Sequence, residues 1–206
     1  YFKNRGRVWE QQAMTRVRFV AGNPEVGDQF MKIAEEFTYS PRLDYGGLIE
    51  IARLRERMEV ELAREDKKGS NIKLGYGGLA DIEFTVQILQ LMHGERTPAL
   101  RETNTLKALA KLPQLGFMDD QKAESMRDSY LFLRNLECAL RLFSERAESV
   151  LPKNKRAMAA LARMTGFHEG SEETRASALE EEYTQVTEKV RTFYRETMDK
   201  LLRSAK

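Results

Sequence analysis

Hydrophobic positions recur every three or four residues along most of this chain, the period of helices with one buried face. In "RVWEQQAMTRVRFVAG", Trp9, Ala13, Val17 and Val20 share a face, and Gly22-Asn23-Pro24 predicts a stop. A second helix is predicted from Glu25 to about Phe37, ended by Ser40-Pro41-Arg42. From Leu48 onward, Ile51, Leu54, Met58 and Leu62 form an apolar stripe opposite an ion-paired face of Glu50, Arg53, Arg57, Glu61 and Arg64. "DKKGSN" reads as a loop. The run "LADIEFTVQILQLM" is apolar nearly all round, which predicts a helix at the centre of the core. Its one polar stripe, Glu83, Gln87 and Gln90, reads either as a solvated seam or as a seam facing another domain.

Thr103 or Asn104 can cap a short helix reaching Leu112 and closed by Pro113. Asp119 opens a long helix in which Met126, Tyr130, Leu133, Leu136, Leu140 and Phe143 recur at helical spacing. "LPKNKR" breaks it, and "RAMAALARMTGF" forms another helix ending at Gly166. The last helix is predicted from about Ser171 to Leu202, where Leu179, Tyr183, Val186, Val190 and Phe193 alternate steps of four and three. Strand signals are almost absent, and no repeat appears. The expectation is an all-α helical bundle of about eight helices, with 1–206 as a single domain.

Composition supports this and narrows the function. The chain has 206 residues, 41% hydrophobic and 32% charged, enough apolar surface for one sizeable core and enough charge for solvated helix faces. A net charge of +2 gives no general case for nucleic acid or an anionic membrane, and no apolar stretch is long enough to span one. One cysteine excludes a disulfide framework and a cysteine-based zinc site, and fits a reducing cytoplasm. The chain opens with Tyr1 rather than Met, and reads as a piece of a longer polypeptide.

The candidate chemistry gathers at "NIKLGYGGLADIEF", residues 71–84. Asp81 and Glu83 have the Asp-x-Glu look of a metal pair. At the head of a helix, however, positions i and i+2 lie about 200° apart, so the two carboxylates diverge and no metal site is expected. A phosphate cradle has suitable parts in Lys73, Gly77, Gly78 and a helix start. Yet Gly75-Tyr76-Gly77-Gly78 matches no dinucleotide or P-loop spacing, and Asp81 in the first helical turn would repel an anion. Local signals favour a tight entry turn with an N-terminal carboxylate. Arg16 lies seven residues after Trp9, on the same predicted helical face; it reads either as a side chain covering Trp9 or as a guanidinium meeting an anion at a domain junction. His93 and His168 lack ligand spacing, Cys138 reads as a small packed hydrophobe, and Tyr39, Tyr45 and Tyr76 as surface aromatics. No nucleophile–His–acid arrangement is visible, so no catalytic residue is assigned.

Two segments together resemble one family. "WEQQAMTRVRFVAGN" is similar to the W-E-x-Q-A-x-x-R-A-R-x-V-x-G-[DN] block of the glutamine synthetase adenylyltransferases, bacterial enzymes that adenylylate and deadenylylate glutamine synthetase. "IKLGYGGLADIEFTVQILQL" resembles their I-K-x-G-x-G-G-I-R-[DE]-I-E-F-x-V-Q-x-L-Q-L block, and "YLFLRNLECALRL" and "LPKNKRAMAALARMTGF" fit the same order. Val17 stands where the family has Ala, and Leu79-Ala80 replaces its Ile-Arg, removing a basic side chain beside the glycines.

The resemblance implies an enzyme of two similar halves, each a nucleotidyltransferase palm followed by a helical domain. It implies ATP and Mg²⁺ bound by a Gly-Ser block and an Asp-x-Asp pair of the palm, neither of which this sequence contains. The chain is then expected to be the helical domain after a palm, with 1–40 as the connection. It is expected to be inactive alone, to hold no cofactor itself, and to resemble the C-terminal, adenylyl-transferring half through Gln12. Implied partners are the palm, glutamine synthetase and a PII-type signalling protein, with neither nucleic acid nor membrane. Lys73, Arg16 and Arg18 are the residues expected to face the nucleotide cleft, with Gly77 and Gly78 allowing close approach to the palm. Trp9, Glu10, Asp81 and Glu83 are expected to support them, the acids by orienting the cations. The alternative is an interaction module that docks glutamine synthetase or the PII-type protein.

Overall fold

A computed structural model describes residues 1, 5–39, 43–63, 65 and 69–205. Eight α-helices occur among them: α1 (Val8–Met14), α2 (Pro24–Tyr39), α3 (Tyr45–Arg57), α4 (Leu79–His93), α5 (Thr105–Gln114), α6 (Asp120–Ser144), α7 (Lys155–Met164) and α8 (Glu172–Ser204). A π-helical turn, Met58–Ala63, continues α3, and a 3₁₀ turn, Pro98–Leu100, precedes α5. The described residues contain no strand, only an isolated antiparallel bridge between Asn71 and Val150. The fold is therefore all-α, as the periodicity predicts. The predicted helix end at Ser40-Pro41-Arg42, Arg64 of the charged stripe and Asp66–Lys68 of the predicted loop lie outside the described residues.

The helix ends follow local chemistry. Asn104 caps α5 by accepting from the Lys107 amide at 3.1 Å, and Asn154 caps α7 by accepting from Arg156 and Ala157. Asp119 accepts from the Lys122 amide at 2.7 Å at the head of α6. Pro113 does not close α5 but sits in its last turn. The first helix is shorter than its apolar spacing predicts. It stops at Met14, where the Thr15 hydroxyl bonds back to the Gln12 carbonyl at 2.7 Å, and Val17 and Val20 fall outside it. Arg16 consequently shares no helical face with Trp9, which is 52% exposed.

The chain divides into two compact units. One comprises Tyr1–Leu54, Glu83–Glu124 and Met198–Lys206. In it α1 lies against α2, and the body of α4 supplies buried Phe84, Val86, Ile88, Leu89, Leu91 and Met92. In the polar stripe of α4 the two glutamines are buried within the unit, while Glu83 stays partly exposed. Gln87 accepts from Gln12 Nε2 at 2.9 Å, and Gln90 Nε2 donates to the carbonyls of Leu100 and Glu102 at 2.8 and 2.7 Å. These bonds tie α1 and the segment before α5 to the central helix within the unit. Tyr39 is buried too, with the Arg101 guanidinium 4.8 Å from its ring centre.

The other unit comprises Arg55–Ile82 and Ser125–Thr197. Its interior is built from Leu133, Leu136 and Leu140 of α6, Leu161 of α7, and Leu179 and Val190 of α8. Leu62 and Phe143, expected inside, are exposed, Leu62 within the π-helical turn and Phe143 in the last turn of α6. Cys138 is exposed rather than packed.

Candidate functional site

The segment from Ile72 to Asp81 uses every one of its backbone N–H groups within the chain. Ile72 donates to the Ser149 carbonyl, Lys73 and Leu74 to Asn71 Oδ1, and Gly75 to the Asn71 carbonyl. Tyr76 donates to Glu65 Oε2 at 2.9 Å and Gly77 to Asp81 Oδ2 at 3.1 Å. Gly78, Leu79, Ala80 and Asp81 donate to the carbonyls of Gly75, Ile72, Lys73 and Gly78. A phosphate cradle works by offering unpaired N–H groups to an anion, and here none is left. The glycines serve packing instead. Gly77 has φ +62°, and a Cβ there would stand 1.9 Å from the Thr187 carbonyl oxygen of α8. A Cβ on Gly78 would stand 2.7 Å from the Ile72 carbonyl oxygen.

Beneath this turn lies a set of four charges. Arg55, at the end of α3, is 1% exposed, and Asp81, in the first turn of α4, is fully buried. Arg55 Nε donates to Asp81 Oδ1 at 2.5 Å, and its Nη2 donates to the Gly75 carbonyl at 2.7 Å. Arg191 of α8 places Nε 3.4 Å from Asp81 Oδ2 and pairs through Nη2 with Glu59. Glu59, in the π-helical turn, also lies 3.2 Å from Arg55 Nη1. Two guanidiniums thus balance two carboxylates. The Arg191 guanidinium also lies 4.5 Å from the Tyr76 ring centre, while the Tyr76 hydroxyl donates to Glu188 at 3.0 Å. Burial pushes the Asp81 carboxyl above its ordinary value, and Arg55 and Arg191 pull it back. Burial opposes the charge on Arg191, but Asp81 and Glu59 more than offset this and raise its pKa. Tyr194 beside them is pushed up to about 12, chiefly by burial.

The remaining candidates divide between the units. Lys73 is exposed on the turn. Arg16 donates to Thr105 Oγ1 at 2.8 Å and lies 3.8 Å from Glu83, so that acid does stand beside that cation. Arg18 is exposed, and Trp9 stands half out of α1. Glu10 reaches back to the start of α1, accepting from the Arg7 amide at 2.8 Å, and also accepts from the Tyr1 hydroxyl. Asp81 orients Arg55 and Arg191 rather than Lys73.

Among the described residues, no group of three or more His, Cys, Asp or Glu side chains could hold a metal ion. Asp81 is committed to Arg55 and Gly77, and Glu83 faces Arg16, so these acids do not fit a Mg²⁺ site. Among the described residues no helix is long and apolar enough to cross a membrane.

The sequence reading overlooked Arg55, Glu59, Glu65 and Arg191, yet a signal for two of them existed. Arg55 falls four residues after Ile51 and three before Met58, within the apolar stripe, and Arg191 likewise follows Thr187 and precedes Tyr194. Arginines on two apolar faces and an acid at the head of an apolar helix point to each other as partners.

Comparison with known proteins identifies relatives of this arrangement. The family model described as GlnD PII-uridylyltransferase matches residues 52–198, which include the turn and all four charges beneath it. The bifunctional glutamine synthetase adenylyltransferase/adenylyl-removing enzyme of Hahella chejuensis is 35% identical over 167 residues, 81% of this chain and 17% of that protein. The enzyme of the same name from Rhizobium meliloti is 34% identical over 171 residues, 82% of this chain and 17% of that protein. The one from Streptomyces avermitilis is 37% identical over 172 residues, again 82% and 17%. The chain therefore spans only a small part, 17%, of these relatives' length.

Proposed function

Because this chain belongs to the family described as GlnD PII-uridylyltransferase, we propose that it is the helical domain of a bifunctional glutamine synthetase adenylyltransferase/adenylyl-removing enzyme. In this reading a neighbouring palm domain holds ATP and Mg²⁺. A tyrosine hydroxyl of glutamine synthetase gives up its proton and attacks the α-phosphorus of ATP in line, expelling pyrophosphate, and in the reverse half phosphate attacks the adenylyl phosphorus, releasing ADP and the tyrosine hydroxyl. The helical domain contributes a fixed wall and cations. Lys73 on the turn of one unit, and Arg16 and Arg18 after α1 in the other, are each proposed as a cation able to meet a phosphate, where fixed positive charge stabilises the transition state. Gly77 and Gly78 act indirectly, by seating the turn that carries Lys73. Gln12 favours the C-terminal, adenylyl-transferring half.

The observation that carries this reading is the match to relatives at 34–37% identity over about four-fifths of the chain. Its test is adenylylation by the full-length enzyme carrying Lys73→Ala or Arg16→Ala. Activity falls in both while the fold survives, and the isolated chain turns over no ATP. Normal turnover in both variants overturns the assignment of these cations.

One observation favours a docking role for the same domain. Val26, Phe30 and Ile33, spaced four and three apart on α2, are 64%, 42% and 53% exposed. In this second reading the stripe receives glutamine synthetase or a PII-type protein. Phe30→Asp then abolishes binding of that partner to the full-length enzyme without lowering Tm, and unchanged binding rejects the role.

A further inference from the structure

We infer that Arg191 is a positioning residue for Lys73, acting through Asp81 and Glu59 to fix the turn that carries the lysine. This rests on the reading of Lys73 as a cation offered to the nucleotide. Lys73 itself makes no link to the quartet; the turn around it does. Asp81 holds the Gly77 amide, Arg55 holds the Gly75 carbonyl, and Arg191 is the second cation touching both carboxylates that steady Arg55. The same guanidinium covers the Tyr76 ring, so it grips the turn from the α8 side as well.

Removing the Arg191 charge leaves Asp81, fully buried, and Glu59, a quarter exposed, competing for Arg55 alone, two like charges with one counter-ion. Relief requires Glu59 to leave, Asp81 to take up a proton, or the turn to shift. Charges held like this, three buried and Glu59 partly exposed, are a poor source of stability, since apolar side chains of the same volume commonly do as well or better. What they supply is a single geometry, and the element they surround is the turn. Glu59 enters from a π-helical turn, a winding that recurs where helices are bent to a functional purpose.

The test uses the full-length enzyme with Lys73→Ala, Arg191→Gln and the two combined, measuring KM for ATP, kcat and hydrogen exchange at the Gly77 amide. The expected result is a rise in KM for Arg191→Gln of up to about a hundredfold with a smaller change in kcat, since a group displaced by about 1 Å can cost that much. The double variant is then no worse than Lys73→Ala alone. Gly77 exchange accelerates in Arg191→Gln but not in Lys73→Ala. Losses that multiply in the double variant, or Gly77 exchange unchanged in Arg191→Gln, overturn the inference. An impaired Lys73→Ala beside a normal Arg191→Gln overturns this inference alone, whereas a normal Lys73→Ala overturns the reading of Lys73 along with it. If Arg191→Gln does not fold, Arg191→Lys, which keeps the charge and loses the fork, carries the same comparison.

Discussion

Arg55 and Asp81 meet at 2.5 Å with both side chains sealed from water, and losing Asp81 leaves two guanidiniums, Arg55 and Arg191, with Glu59 alone. Asp81→Ala should therefore destabilise the chain by about 3–5 kcal/mol, the cost of an uncompensated buried guanidinium. The paired change Arg55→Met with Asp81→Leu removes both charges and should be much milder than Asp81→Ala. Urea denaturation of the two variants checks the order; equal losses would mean that packing, not charge, sets the cost.

Gly77 and Gly116 both have positive φ, +62° and +75°, but only Gly77 faces an obstacle, the Thr187 carbonyl. Gly116→Ala should cost about 1 kcal/mol, the backbone strain alone. Gly77→Ala adds a backbone collision that α8 must move to relieve, and should cost about 3 kcal/mol or more. Thermal unfolding of the two variants measures the difference.

Gln90 donates to two carbonyls from the buried side of α4. Gln90→Leu leaves both acceptors unpaired and should cost about 1–3 kcal/mol. Gln90→Glu sets an ionised carboxylate against the same carbonyls, which raises its folded pKa above the unfolded value. Its stability should then recover as pH falls, because the protonated acid is the form the site accepts. Urea midpoints at pH 7 and pH 5 give the sign.

Glu102 behaves in the opposite direction. Burial alone would raise its pKa, but the Asn104 amide and Lys111 at 3.0 Å outweigh that and hold it below its ordinary value. A depressed folded pKa contributes stability that is present above the unfolded value and lost as pH falls through the folded one. Glu102→Gln should therefore lose about 0.5 kcal/mol at pH 7, the range of solvent-screened pairs, and nothing below the folded pKa. Denaturation at the two pH values checks it.

Helix placement was legible because apolar spacing and caps act locally. The run after Gly78 reads as a central helix, and every residue from Leu79 to Met92 except Glu83 is buried. Where a side chain competes with the backbone the reading slips, as at Thr15, whose hydroxyl ends α1 before Val17 and Val20 can join it. Polar residues on a buried face are harder still. Gln87 and Gln90 read as a wet seam or as one facing another domain because sequence carries no record of the donors and acceptors that Gln12, Leu100 and Glu102 bring from elsewhere in the chain. The quartet has the same origin. Asp81 is visible beside the glycines, but its true partners are 26 residues before it and, on α8, 110 residues after it.

Trp9 is the chain's one tryptophan, and it stands half in solvent. Its emission in the native state is therefore open to a collisional quencher such as iodide, and it stays dim to changes deep in the interior. Fluorescence will register whatever covers the start of the chain, whereas melting of the helices is better followed by far-ultraviolet dichroism.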